Sequence, residues 1–150
     1  MLVRPFRPED REPAATLWVA AWQRTMPTID FAARRSWILD QLDAQHHSGM
    51  ATLSGVSETG ALLGFAMVHR AQQWLEQLAV DPSQSGLGVG AVLLNAAKQM
   101  CGGRLGLRVN QDNPRAISFY RREGFRIVAA GVNPGGRRKT WDMLWTETSS

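Results

Sequence analysis

From Trp74 to Val109 the chain reads as a strand (Trp74 to Val80), a glycine-rich turn, a helix and a second strand (Leu105 to Val109). Val89, Val92, Leu93, Ala96, Ala97 and Met100 recur at three- and four-residue spacing, so the helix has one apolar face through Cys101, and Gly102-Gly103 ends it. Two strands joined through a helix run parallel in one sheet and cross over right-handedly. The turn therefore stands at the carboxyl end of a strand, where α/β proteins bind ligands.

That turn, Gln84-Ser-Gly-Leu-Gly-Val-Gly-Ala91, carries glycines at 86, 88 and 90. A helix amino terminus offers unpaired N–H groups and a partial positive charge, so backbone without Cβ atoms in the way can bind phosphate. A nucleoside-triphosphate loop needs Gly-Lys-Ser/Thr, and Gly90-Ala91 excludes it. Gly86, Gly88 and Ala91 do satisfy G-x-G-x-x-G/A, with Asp112 about twenty residues on, as a dinucleotide fingerprint requires. Against that reading, Asp81 to Ser85 separate strand from turn, and no second mononucleotide half fits after Asp112, so a dinucleotide-binding domain is a remote alternative.

Around this unit, Asp10 is placed to cap a helix bearing Ala14, Leu17, Trp18, Ala21 and Trp22, with Trp18 and Trp22 read as core. A second helical pattern runs from Phe31 to about Ala44. Met50 to Glu58 and Leu62 to His69 form a hairpin about Thr59-Gly60. Asn113-Pro114 caps a helix that Gly124 stops, and Phe125 to Ala130 and Thr140 to Thr146 close the chain around Asn133-Pro-Gly-Gly136.

With 44% apolar residues in 150, the chain is read as a single domain, 1–150, with one sizeable core. Its longest mainly apolar run, Ala61 to Val68, is too short to span a bilayer, and Met1 to Pro5 lacks a signal-peptide segment, so a cytoplasmic location without membrane contact is expected. One cysteine, Cys101, and three histidines without ligand spacing point to no metal. The net charge of +4 is scattered, and Arg137-Arg-Lys139 reads as a solvated hairpin tip, so no nucleic-acid partner is expected.

Leu78-Ala-Val-Asp-Pro82, Gly86-Leu-Gly-Val-Gly90-Ala-Val-Leu-Leu94 and Asn113-Pro-Arg-Ala-Ile-Ser-Phe-Tyr120-Arg-Arg-Glu-Gly-Phe125 together resemble the GNAT superfamily of N-acetyltransferases. Its pattern is Arg/Gln-x-x-Gly-x-Gly/Ala, for the acetyl-CoA pyrophosphate, then Asn-x-x-Ala-x-x-Phe-Tyr-x-x-x-Gly-Phe. The resemblance implies an α/β fold of the α+β type, with a mixed, mostly antiparallel central sheet of about six to seven strands flanked by about four helices. It implies acetyl-CoA as co-substrate, held by Leu78, Ala79 and Val80 on a splayed strand, by the turn residues Ser85, Gly86, Leu87, Gly88, Val89, Gly90 and Ala91, and by Asn113. Ser85 stands where the family has Arg or Gln, and Gln84 is one residue out of register, which implies a looser hold on the cofactor.

The resemblance makes Tyr120 the general acid at the CoA sulfur, a phenol that is protonated at neutral pH. Alternation along the strand puts Trp74, Glu76, Leu78 and Val80 on one face. Glu76, a residue type disfavoured in strands, is read as the general base with a pKa raised by partial burial; His69 is a second candidate. Cys101, ending an apolar face, is read as packing rather than as a nucleophile. The acceptor is expected to be a small amine or a peptide amino group in a pocket walled by Trp22, Trp37, Trp74 and Trp141. A non-catalytic acetyl-CoA-binding regulatory domain is the alternative, and a homodimer is left open.

Overall fold

The computed structural model describes residues 1–44 and 49–147. Seven strands form one sheet in the order β1-β2-β3-β4-β5-β7-β6: β1 (Leu2–Pro5), β2 (Met50–Val56), β3 (Leu62–His69), β4 (Trp74–Val80), β5 (Arg104–Asn110), β6 (Arg126–Val132) and β7 (Lys139–Thr146). Only β4 and β5 pair in parallel, across the crossover read from the sequence; every other neighbouring pair is antiparallel. Strand β1 was not foreseen: four residues ending Arg4-Pro5 carry no alternation, and pairing with β2 makes them a strand.

Helices α1 (Arg11–Thr25) and α2 (Arg35–Ala44) cover one face over Phe65 and Met67, burying Ala14, Trp18 and Ile38. Helices α3 (Val89–Met100) and α4 (Pro114–Arg122) cover the other, where Leu93, Leu94 and Ala97 meet Leu105, Leu107 and Phe125. Alternation in β3 sends Phe65 and Met67 to the first layer and Ala66 and Val68 to the second. Phe31 precedes α2, heading a 3-10 turn at Ala32–Arg34, so the helix begins at Arg35, four residues later than expected.

The alternation expected for β4 fails at one residue. Met67 faces Gln77 and Val68 faces Leu75, which leaves Glu76 as the extra residue of a β-bulge. An inserted residue reverses the facing of everything before it. Leu75 therefore joins Leu78 and Val80 against α3, while Gln77 and Ala79 face α1 and α2. Beyond the bulge β4 and β5 part: they pair only at Trp74 with Gly106 and Leu75 with Leu107. The Trp74 ring lies over Gly106, where a Cβ would come within 2.9 Å of it.

Asp10 occupies the N-cap position of α1 but does not cap it with its side chain. Its buried carboxylate accepts from the Arg7 N–H (2.9 Å), from Arg4 (2.6 and 2.9 Å) and from the Ser54 hydroxyl (2.9 Å), tying α1 to β1 and β2. Burial alone would raise its pKa, but Arg4, the Arg7 N–H and Ser54 outweigh burial and hold it below the usual carboxylate value. On the opposite layer the nearly buried Lys98 donates to the Glu123 carbonyl at the end of α4 and lies 4.9 Å from the Trp145 ring. Its ammonium joins α3 to the helix that carries Tyr120, and burial lowers its pKa.

Candidate active site

The parting of β4 from β5 opens a cleft of about 740 Å³ between strand backbones, floored by α4 and closed at one end by the glycine turn. After β4, the Asp81 carboxylate accepts from the N–H and hydroxyl of Ser83, and a 3-10 turn, Pro82–Gln84, leads to Ser85. Gly86 and Gly88 have φ of +80° and +84°, conformations that favour glycine. A Cβ built on either would meet nothing within 4 Å, so the backbone there stands open. The N–H groups of Gly86, Gly88, Val89, Gly90 and Ala91 have no backbone acceptor and gather at the amino terminus of α3. A diphosphate fits such a cradle. Leu87 is the exception among the predicted turn residues: its N–H goes to the Gln84 carbonyl at 3.2 Å, and its side chain, 70% exposed, lies outside the cleft.

The strand backbone also faces the right way. The Asp81 N–H donates to the Leu63 carbonyl at 2.9 Å, so alternation aims the groups of Gln77 and Ala79 at β3 as well. Leu78 and Val80 then turn their N–H and C=O groups toward the gap left by β5. Ala79, predicted alongside them, lines the cleft through its position rather than through backbone groups aimed into it.

Helix α4 brings Asn113, Ala116, Phe119 and Tyr120 to the cleft. Asn113 is the N-cap: its Oδ1 accepts from the Ala116 N–H at 3.2 Å, which leaves the amide Nδ2 to a ligand. Tyr120 sits between Phe119 (centroids 5.2 Å apart) and Phe125 (5.6 Å), and its hydroxyl makes no hydrogen bond among the described residues. Burial pushes the phenol well above its usual value, which keeps its proton in place.

The sequence reading missed Arg115. Its guanidinium reaches across from α4 and donates to the Ser85 hydroxyl at 2.5 Å. The cation that Ser85 lacks is thus supplied at the same corner by another helix, and Ser85, an acceptor here, still has its own O–H to donate. One signal in the sequence pointed to it: after Pro114, Arg115 falls in the first helical turn, where a cation is unfavourable unless an anion joins it.

Glu76 reaches the cleft, but the bulge exposes it, so the partial burial expected for it is absent. It lies near Arg108, whose guanidinium is kept charged mainly by its hydrogen bond to Asp142 at 2.9 Å. His69 pairs with Trp74 at the amino-terminal end of β4 and lines neither the cleft nor the cavity beside it. Cys101 is buried in the α3 core with its thiol pKa raised by burial, the condition of a packing residue.

A second cavity, about 1230 Å³, adjoins the cleft and shares Trp22, Gln77 and Asn110 with it. One wall is aromatic: Trp22 stacks on Phe31 (5.8 Å, 26°), and Trp18 meets Phe31 edge-on and lies 5.6 Å from Trp37. The Gln77 side chain, fixed by the Trp18 indole N–H at 3.2 Å, marks the junction. Of the four tryptophans expected here, Trp22 and Trp37 line the cavity. Trp74 and Trp141 do not; they lie against Gly106 and the α3-side core. Trp18, read as core alone, is both buried and part of this wall.

The Acetyltransferase (GNAT) family model matches residues 10–125. The chain is 27% identical over 126 residues to the peptidyl-lysine N-acetyltransferase YjaB of Escherichia coli K12, covering 84% of this chain and 82% of that protein. The solution structure of apo YjaB from Escherichia coli superposes with a TM-score of 0.78 at 24% identity, covering 98% of both chains. The PaiA N-acetyltransferase of Thermoplasma acidophilum, solved with coenzyme A, also gives 0.78 at 19% identity over 97% of this chain and 98% of that one. The chain belongs to the GNAT family of acetyltransferases and is an acyltransferase. No helix among the described residues is long and apolar enough to cross a membrane, and no described His, Cys, Asp or Glu cluster could hold a metal ion.

Proposed function

We propose that the chain, acting as one domain, transfers the acetyl group of acetyl-CoA directly to a primary amine when both are bound together. The observation that carries this reading is the junction of the two cavities at Trp22, Gln77 and Asn110, which lets a donor and an acceptor meet without an acyl-enzyme. The thioester supplies the activated acetyl group; every other requirement falls to the chain. The N–H groups of Gly86, Gly88, Val89, Gly90 and Ala91, with Arg115 and Ser85, bind the diphosphate. The N–H groups of Leu78 and Val80 bind carbonyl oxygens in the splayed gap, and Asn113 holds the arm through its free amide.

In the transfer a nitrogen–carbon bond forms as the carbon–sulfur bond breaks. Tyr120, which burial keeps protonated at neutral pH, gives its hydroxyl proton to the departing sulfur. Glu76, exposed at the cleft mouth, takes the proton lost by the amine through water. The acceptor amine enters by the aromatic cavity and reaches the cleft beside Gln77. Thiol release from acetyl-CoA across a panel of small amines and lysine peptides tests the reading, with Tyr120→Phe and Glu76→Gln as controls. Both variants are expected to lose rate while binding acetyl-CoA as before.

A further inference from the structure

The acceptor cavity has a second wall of different chemistry. Across from the tryptophans, Arg137, Arg138 and Lys139 line it; Arg34 adds a fourth cation from the aromatic side, over Phe31, and the only carboxylate among the described lining residues is Asp112. Asp112 is already joined to Arg138 at 3.0 Å. Arg34 lies 5.3 Å over the Phe31 ring, which supports its charge without neutralising it. Among the described residues, Arg137, Lys139 and Arg34 are thus uncompensated cations around one concave site, whose field an anion would relieve.

We infer that the acceptor is a primary amine on a flat apolar or aromatic body that also carries a carboxylate at the end away from the amine. The amine points to Gln77 and the cleft, the body lies along Trp22, Phe31 and Trp37, and the carboxylate meets Arg137 and Lys139 on the β6–β7 hairpin. The basic run that reads as a solvated turn in the sequence thereby acquires a ligand. Two sources present an amine with a distant carboxylate: a free amino acid whose amine is remote from its carboxylate, or a lysine beside an acidic residue in a peptide. A second cationic group on the acceptor, as in a linear polyamine, meets like charge instead and is disfavoured.

This inference rests on the acetyl-transfer reading, and matched pairs test the two separately. One arm compares para-aminomethylbenzoate with its carboxamide; the other compares a lysine peptide flanked by Glu with the same peptide flanked by Gln. The anionic member is expected to show a kcat/KM about tenfold higher in at least one arm, which identifies the source. The double variant Arg137→Gln, Lys139→Gln should bring that ratio to within about twofold of unity, with acetyl-CoA affinity unchanged. Equal rates for both members in both arms, or a ratio that survives the double variant, overturns the inference. If no amine is acetylated although acetyl-CoA binds, the transfer reading fails. Calorimetry on the CoA-saturated protein then decides the inference: tighter binding of the benzoate than of its carboxamide upholds it, and equal or weaker binding overturns it.

Discussion

The two cavities that meet at Gln77 are built on different principles. The cleft proposed for the cofactor is mostly backbone: unpaired N–H groups at the start of α3, and strand groups exposed where β4 and β5 part. The cavity proposed for the acceptor is mostly side chain, assembled from α1, the segment before α2, α2 and the β6–β7 hairpin. Backbone recognition needs glycine and topology, which constrain sequence tightly and in one place. Side-chain recognition needs residues that meet only in the folded protein, so their spacing along the chain says little. A family can hold the first constant and change its acceptor through the second.

The largest expected effect is chemical and falls on Tyr120 in the cleft. Tyr120→Phe should lower kcat by about a thousandfold, the scale of general acid catalysis, with acetyl-CoA affinity unchanged by calorimetry. Because burial raises the phenol pKa, its loss of a proton should cause no fall in kcat below about pH 10, the ordinary tyrosine value.

Gly88→Val tests the backbone half. A branched residue at φ +84° costs roughly 1–3 kcal/mol and puts methyl groups into the open cradle, so acetyl-CoA should bind about a hundredfold more weakly. Carboxylate discrimination by the acceptor cavity should persist in the residual activity.

Asp10 tests the wall that supports the acceptor side. Asp10→Asn removes one partner of a buried ion pair and should cost about 3 kcal/mol in chemical denaturation at neutral pH. The wild-type carboxyl has a depressed pKa when folded, so its contribution is fully present above the unfolded value and is lost as pH falls through the folded value. Stability measured from pH 6 down into that acidic window should therefore fall more steeply in the wild type than in Asp10→Asn.

The smallest effect separates Ser85 from Arg115. Arg115→Ala should weaken acetyl-CoA binding about tenfold and flatten its salt dependence, because it removes a charge-assisted contact. Ser85→Arg, which restores the residue usual in the family, should gain less than about twofold, since Arg115 already occupies that corner. A large gain would show that the two positions are not equivalent.

The turn, helix cap and crossover around the cleft were legible in the sequence because their signals are local. The glycines at 86 and 88, the N-cap at Asn113 and the crossover between Trp74 and Val109 each follow from short-range rules, and each stands where those rules put it. The burial expected for Glu76 was wrong because a bulge is set by pairing with β3, which the strand's own alternation cannot reveal. Strand β1 was missed for a similar reason: four residues have no period of their own. Arg115 was passed over as a variable position within a motif, although its place in the first turn of α4 was a physical clue. Trp74 and Trp141 were assigned to the acceptor by residue type alone, and the sheet sends them elsewhere. Arg137 and Lys139 were rightly placed on a hairpin, but only the fold shows α1 and α2 across the cavity from them.

The central claim is that donor and acceptor occupy joined cavities at the same time. Initial rates of thiol release, measured while acetyl-CoA and a productive amine are both varied, test it most directly. Double-reciprocal lines that intersect are the predicted result, as a ternary complex requires. Parallel lines would mean that an acyl-enzyme forms and the amine arrives after CoA departs, which contradicts the account.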